Sequence, residues 1–139
     1  MKYSIAIIFI FFSINSLAVE NNNLIKGKKL YLEKKYSDAK IEFEKSIVFN
    51  PKNTESYLYL SKIFNQLKDL NGEEKNLKSA LLLEPQNDEA LYLIINLYIQ
   101  EGDFKAALTK YELFKKICNN CENFKRAESL IEKSKINDK

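Results

Sequence analysis

The chain has 139 residues, with 22 lysines and arginines against 19 aspartates and glutamates and no histidine. A net charge of +3, with lysine and glutamate interleaved, leaves no basic stripe for nucleic acid, and the missing imidazole removes the commonest general base and metal ligand. Glycine occurs three times and never in a cluster, so no loop is built to cradle a phosphate.

Met1 and Lys2 precede the apolar run Tyr3-Ser4-Ile5-Ala6-Ile7-Ile8-Phe9-Ile10-Phe11-Phe12, the charge and apolar core of a secretory signal. Ser16-Leu17-Ala18 places small residues where a signal peptidase needs them, so cleavage is expected after Ala18. The apolar run ends at Ile14, short of the roughly 20 residues that span a bilayer. The mature chain is therefore expected to lack a stable membrane span and to work outside the cytoplasm, periplasmic or secreted. An uncleaved N-terminal segment acting as a membrane anchor is the alternative. About 120 residues remain after cleavage, enough for one domain.

Beyond Ala18 the apolar residues recur at helical steps: Leu24, Leu30 and Tyr31; then Tyr57, Leu60, Phe64 and Leu67; then Leu91, Ile94, Ile95 and Tyr98. No stretch alternates as a strand does. Turn-forming runs fall at Asn50-Pro51-Lys52-Asn53 and Glu84-Pro85-Gln86-Asn87-Asp88, with shorter turns expected at Asn71-Gly72 and Gly102-Asp103. Thr54, with Ser56 nearby, and Asp88 are expected to cap the helices that follow the prolines. The pattern predicts seven helices at about 22–34, 37–49, 54–67, 71–83, 88–101, 104–117 and 122–136.

Pro51 and Pro85 stand thirty-four positions apart, and the intervening residues repeat at the same offset. Ser37–Ile47 lies over Asn71–Leu81 and then over Lys105–Lys115, bringing Phe43, Leu77 and Tyr111 into coincidence. These residues resemble the tetratricopeptide repeat (TPR), a helix-turn-helix unit of that period. Gly27, Leu30, Ala39, Phe43, Ser46 and Pro51 take signature places in the first repeat. Tyr57, Leu60, Ser61, Phe64, Leu77, Ala80 and Pro85 do so in the second, and Leu91, Ile94, Tyr98, Ala107 and Tyr111 in the third. The resemblance implies an all-α fold: a right-handed α-solenoid of three TPR-like helix pairs at about 20–53, 54–87 and 88–121, preceded by the signal peptide.

The chain departs from the family pattern at named places. Asn23 and Lys26 replace large apolar residues in the first helix, whose outer turn is expected to be exposed or frayed. Glu73 stands where alanine is usual, Ile95 and Phe114 are bulkier than the family's small residues, and Asn119 takes the place of a third proline. These substitutions are expected to loosen or shift local packing. Phe124, Ala127 and Ile131 repeat Leu91, Ile94 and Tyr98 at an offset of thirty-three, so the segment 122–136 resembles the first helix of a fourth repeat left unpaired. It is expected to cap the stack, with residues 137–139 as a tail.

Catalysis finds no support. Paired carboxylates such as Glu42 with Glu44, or Glu73 with Glu74, are expected on hydrophilic faces, without the apolar surroundings that tune a pKa. No cofactor and no metal site is expected. Cys118-Asn119-Asn120-Cys121 is the one reactive-looking group. Two thiols cannot complete a zinc site without histidine, and Glu122 rules out a haem-attachment motif. A disulfide staple holding the cap helix, idle free thiols and, as the least favoured reading, thiol-disulfide chemistry remain open.

The resemblance places a concave groove on the first helix of each repeat, lined by Leu24, Lys28 and Tyr31, then Leu58, Lys62, Asn65 and Gln66, then Tyr92, Asn96, Ile99 and Gln100. Lys28, Lys62 and Asn96 take equivalent places and are expected to form a row of donors suited to an extended or helical peptide with acidic groups. The family's carboxylate clamp is not carried over: Leu24, Tyr59, Glu89 and Leu93 hold four of its places. The expectation is a non-catalytic protein-protein interaction scaffold of a bacterial-type cell envelope, with another protein or peptide as partner and no nucleic acid. A self-associating structural module, forming a homo-oligomer, is the alternative.

Overall fold

The computed structural model describes residues 22–118 and 120–137. The signal segment with its expected cleavage after Ala18, the missing proline at Asn119 and the last two residues of the tail lie outside them. Seven helices follow in order: α1 over residues 22–32, α2 Tyr36–Phe49, α3 Thr54–Gln66, α4 Leu70–Leu83, α5 Asp88–Gln100, α6 Phe104–Ile117 and α7 Glu122–Asn137. No strand occurs among the described residues. The periodicity thus predicts every helix, with ends that differ by a residue or two.

The caps show why the chain breaks where it does. Asn53, Asp69, Asn87 and Asp103 each accept, through a side-chain oxygen, the backbone N–H three residues on, at 2.9 to 3.0 Å. Each such cap stabilises its helix by about 1 kcal/mol. The caps expected at Thr54 and Asp88 therefore fall one residue earlier. Thr54 is buried instead, and the Ser56 hydroxyl donates to Ser46 Oγ at 3.0 Å, joining α3 to α2.

Inside each pair the same turn recurs. Lys34, Lys68 and Gly102, at one place in each repeat, hold φ of 60°, 58° and 76°. The following N–H reaches back five residues in every case, Lys35 to Leu30 O at 2.9 Å, Asp69 to Phe64 O at 3.0 Å and Asp103 to Tyr98 O at 2.8 Å, which satisfies orphan carbonyls at the helix end. The turn expected at Asn71-Gly72 is accordingly displaced to Leu67-Lys68-Asp69. Gly72 lies in the first turn of α4, where an added Cβ would meet Phe64 Cδ1 at 2.5 Å. Gly27 serves the same end in α1, since a Cβ there would stand 2.8 Å from Phe43 Cε1. Close approach of paired helices, not a turn, explains both.

Three of the residues that depart from the family pattern lie in the interior. Glu73, Ile95 and Phe114 are all buried. Phe114 meets the Phe124 ring edge-on, with centroids 5.5 Å apart and planes at 86°, so its bulk is taken up by the last helix. Lys26 is exposed, as expected of the outer turn of α1, but it is held. Its Nζ donates to Glu42 Oε1 at 2.9 Å, and Lys45 donates to the same oxygen at 3.0 Å. Glu42 itself is buried, contrary to its expected place on a hydrophilic face, and the Lys26 hydrogen bond first, then Lys45, hold its carboxyl below the usual range.

Candidate functional site

The first helices of successive pairs are joined on one face by side chains that bridge repeats. Lys28 on α1 forms an ion pair with Glu55 on α3, and Lys62 on α3 pairs with Glu89 on α5 at 2.7 Å. Both pairs span twenty-seven positions, so each lysine meets the carboxylate at the start of the next repeat. Half-exposed pairs of this kind stabilise the fold by no more than about 1 kcal/mol, but they settle the charge of the face. The expected row of basic donors is neutralised from within, and the case for an acidic peptide on lysine grounds falls away.

Beneath the lysines lies an aromatic cluster. Tyr59 stacks on Phe43 at 4.8 Å with planes 9° apart and meets Tyr31 edge-on at 5.2 Å, while Tyr31 also packs against Tyr36 at 5.6 Å. Lys62 Nζ stands 4.8 Å and Lys28 Nζ 6.0 Å from the centre of the Tyr59 ring. Burial raises the pKa of Tyr31, partly opposed by Lys62 and reinforced by Tyr36, Tyr59 and Glu89. Tyr31 is thus a neutral hydroxyl near a cation and a carboxylate that belong to other repeats.

The remaining expected groove residues divide by what they touch. Leu58 is buried at 6% exposure and belongs to the core, not to the face. Leu24 and Ile99 are partly buried and pack against the core. Asn65 donates through Nδ2 to Glu73 Oε2 at 2.9 Å, so its amide serves the interior. Tyr92 lies under the Arg126 guanidinium of α7, 4.1 Å from the ring centre. Gln66 and Gln100 are exposed and Asn96 is half-buried, and these three amides remain on the face.

Three contributors escaped the sequence reading, Tyr36, Glu55 and Arg126, and Tyr59 was noted only as standing at a clamp position. Tyr59 could not be singled out because its counterparts, Ile25 and Leu93, are aliphatic. Glu55 left a signal in the equal spacing of Lys28 to Glu55 and Lys62 to Glu89.

At the other end of α6, Cys118 and Cys121 are free thiols. The Cys121 N–H donates to Cys118 Sγ at 3.0 Å. Among the described residues no group of three or more acidic, cysteine or histidine side chains is placed to hold a metal. No helix among them is long and apolar enough to cross a membrane.

No model of a known protein family matches the chain. The BBSome complex member BBS4 of Bos taurus is 33% identical over 102 residues, covering 71% of this chain and 20% of that protein. The chain therefore spans about a fifth of the length of that relative. Among solved structures, the TPR2B domain of yeast Sti1, in complex with pHsp70, superposes with a TM-score of 0.77 at 14% identity, covering 86% of this chain and 98% of that one. The Yersinia enterocolitica type III secretion chaperone SycD, in complex with a peptide of the translocator YopD, gives 0.76 at 16% identity, covering 86% and 94%. The chain is an all-helical repeat solenoid. Its fold is that of the tetratricopeptide repeat, as the thirty-four-residue period implied.

Proposed function

We propose that the chain is a non-catalytic scaffold that holds an extended or helical segment of another protein on the face formed by α1, α3, α5 and α7. One observation carries this reading: the two lysines of the face are matched by Glu55 and Glu89, while half-buried tyrosine rings and the amides of Gln66, Asn96 and Gln100 line it. Such a face recognises a main chain through amides and side chains through rings, with little demand for net charge. The Sti1 domain and SycD, whose structures were solved with bound partners, support it by likeness of fold.

The test is a photo-crosslinking residue placed at Asn96 or Gln100, against one at Lys78 on α4, in cells that make the protein. Adducts to one partner from the α5 positions, lost in a Tyr59→Ala, Tyr92→Ala variant that still folds, are expected. Adducts from Lys78 alone would overturn the reading.

The proposed site of action is outside the cytoplasm, a reading supported by Met1-Lys2, the apolar run after them and Ser16-Leu17-Ala18. Protein recovered from the envelope or the medium is expected to begin at Val19, and recovery with Met1 intact in the cytoplasm would refute it.

A second reading, self-association, is favoured by Ile25, Leu32 and Ile41, which stand exposed on α1 and α2.

A further inference from the structure

Outside the groove, the chain's reactive chemistry gathers where α6 gives way to α7. Cys118 caps the C-terminus of α6 in extended backbone, φ −153° and ψ 109°, and Cys121 immediately precedes α7. The Cys121 carbonyl accepts the Lys125 N–H at 3.2 Å, as the residue before a helix does. The Cys118 sulfur, accepting the Cys121 N–H at 3.0 Å, therefore sits at the positive end of a helix of 16 residues. A thiolate is stabilised in such a place, and the thiolate is the nucleophile.

The two sulfurs are not equivalent. Hydrogen bonding from the Cys121 thiol, then from the backbone of Asn120 and of Cys121, holds the Cys118 thiol below its ordinary range. Burial, and the neighbouring Cys118 sulfur after it, pushes Cys121 up. Cys121 also directs its sulfur toward Cys118 O at 3.8 Å, so it stays within reach of its partner. Both residues keep partial exposure.

The geometry points to a thiol-disulfide exchange site in which Cys118 is the attacking thiol and Cys121 the resolving one. This goes beyond the groove and does not depend on it. The element that activates a thiol here is a helix N-terminus, and α7 supplies it. The oxidant is a protein or small-molecule disulfide, RSSR. The Cys118 thiolate forms a bond to one sulfur of RSSR, the S–S bond of RSSR breaks, and the first thiolate RS⁻ leaves. Cys121 then gives its proton to solvent and attacks the Cys118 sulfur, the mixed S–S bond breaks, and the second RS⁻ leaves. Two electrons pass from the dithiol to RSSR, and two RSH are released for one Cys118–Cys121 bond.

The test treats the mature chain, folded and reduced, with glutathione disulfide and follows it by intact mass and peptide mapping. The wild type should lose two hydrogens without accumulating an adduct. Cys121→Ser should stop at a stable glutathione adduct on Cys118, and Cys118→Ser should react several-fold more slowly. Brief alkylation of the wild type with iodoacetamide near neutral pH, which needs no variant, should label Cys118 several-fold faster than Cys121. Equal labelling of the two thiols, or a wild-type adduct that persists without the internal bond, would overturn the assignment.

Discussion

The two halves of the stack are cohesive in different ways. Toward the C-terminus, Leu77, Leu91, Ile94, Ile95, Leu97 and Phe114 join Phe124, Ala127 and Ile131 of α7 in one apolar cluster. Toward the N-terminus, the fully buried apolar set shrinks to Ala39, Phe43, Leu60 and Ile63, surrounded by half-buried Tyr31, Tyr36, Tyr59 and Phe64. Between them α2, α3 and α4 bury polar groups: Ser46, Ser56, Ser61, Glu73 and Asn76. Among the described residues, one end is closed by a helix and the other shows rings and ion pairs. The difference follows from α7, which packs on both α5 and α6 as a further repeat would, and thereby lets Phe114 be a core residue. A solenoid needs such a cap wherever its last repeat would expose an apolar face.

Removing the cap's anchor should have the largest effect. Phe124 is buried between Phe114 and Tyr111, the latter stacked on it at 5.3 Å with planes 16° apart. Phe124→Ala should cost about 3–5 kcal/mol, as for a buried aromatic, seen as a lower urea midpoint. Hydrogen exchange should then speed up first in α5, α6 and α7, not in α1 and α2. Uniform loss across the chain would mean that the two clusters melt as one.

A smaller, pH-dependent effect belongs to the polar seam. Glu73 is 1% exposed, with Asn65 as its hydrogen-bond donor. Burial raises its pKa, only partly offset by Asn65, and Glu101 adds to the rise. The folded state therefore holds the proton more tightly than the unfolded chain. Stability linked to this group is present below the unfolded carboxylate range and lost as pH rises through the folded pKa. Glu73→Gln removes that dependence while keeping an acceptor for Asn65. The difference in melting temperature, variant minus wild type, should grow from pH 4 toward pH 7. A difference that is flat with pH would show that Glu73 carries no such linkage.

How much of this was legible in the sequence depended on the range of the interaction. Helices and repeat period were readable because each is a local pattern repeated at thirty-four positions. The caps missed by one residue, because Asn53 and Thr54, or Asn87 and Asp88, are adjacent cap formers, and only the backbone decides which one accepts the N–H. Gly72 was misread as a turn because its reason, the Phe64 ring, lies on another helix. On the face, Lys28 and Lys62 were found, but their partners Glu55 and Glu89 sit one repeat away, so the sign of the surface was misjudged. Arg126 over Tyr92 likewise joins side chains one repeat apart, a pairing that the placement of α7 as a further first helix did not by itself single out.

The smallest effect sharpens the contrast between the two ends. Leu32 is 80% exposed on α1, where no described helix plays the part that α7 plays for α5 and α6. Exposed apolar residues are ordinary when single, but Ile25 stands one heptad earlier on the same stripe of α1 and Ile41 is exposed on α2. If this end faces water in solution, Leu32→Ser should change stability by no more than about 0.5 kcal/mol and leave sedimentation unchanged. If a second copy covers it, the wild type should sediment as a dimer at high micromolar concentration, and Leu32→Ser should return it to a monomer and lower its melting temperature only at concentrations where the dimer forms, because association adds stability by mass action. A concentration-independent monomer would leave the N-terminal end as the open face of the stack and exclude the self-associating module.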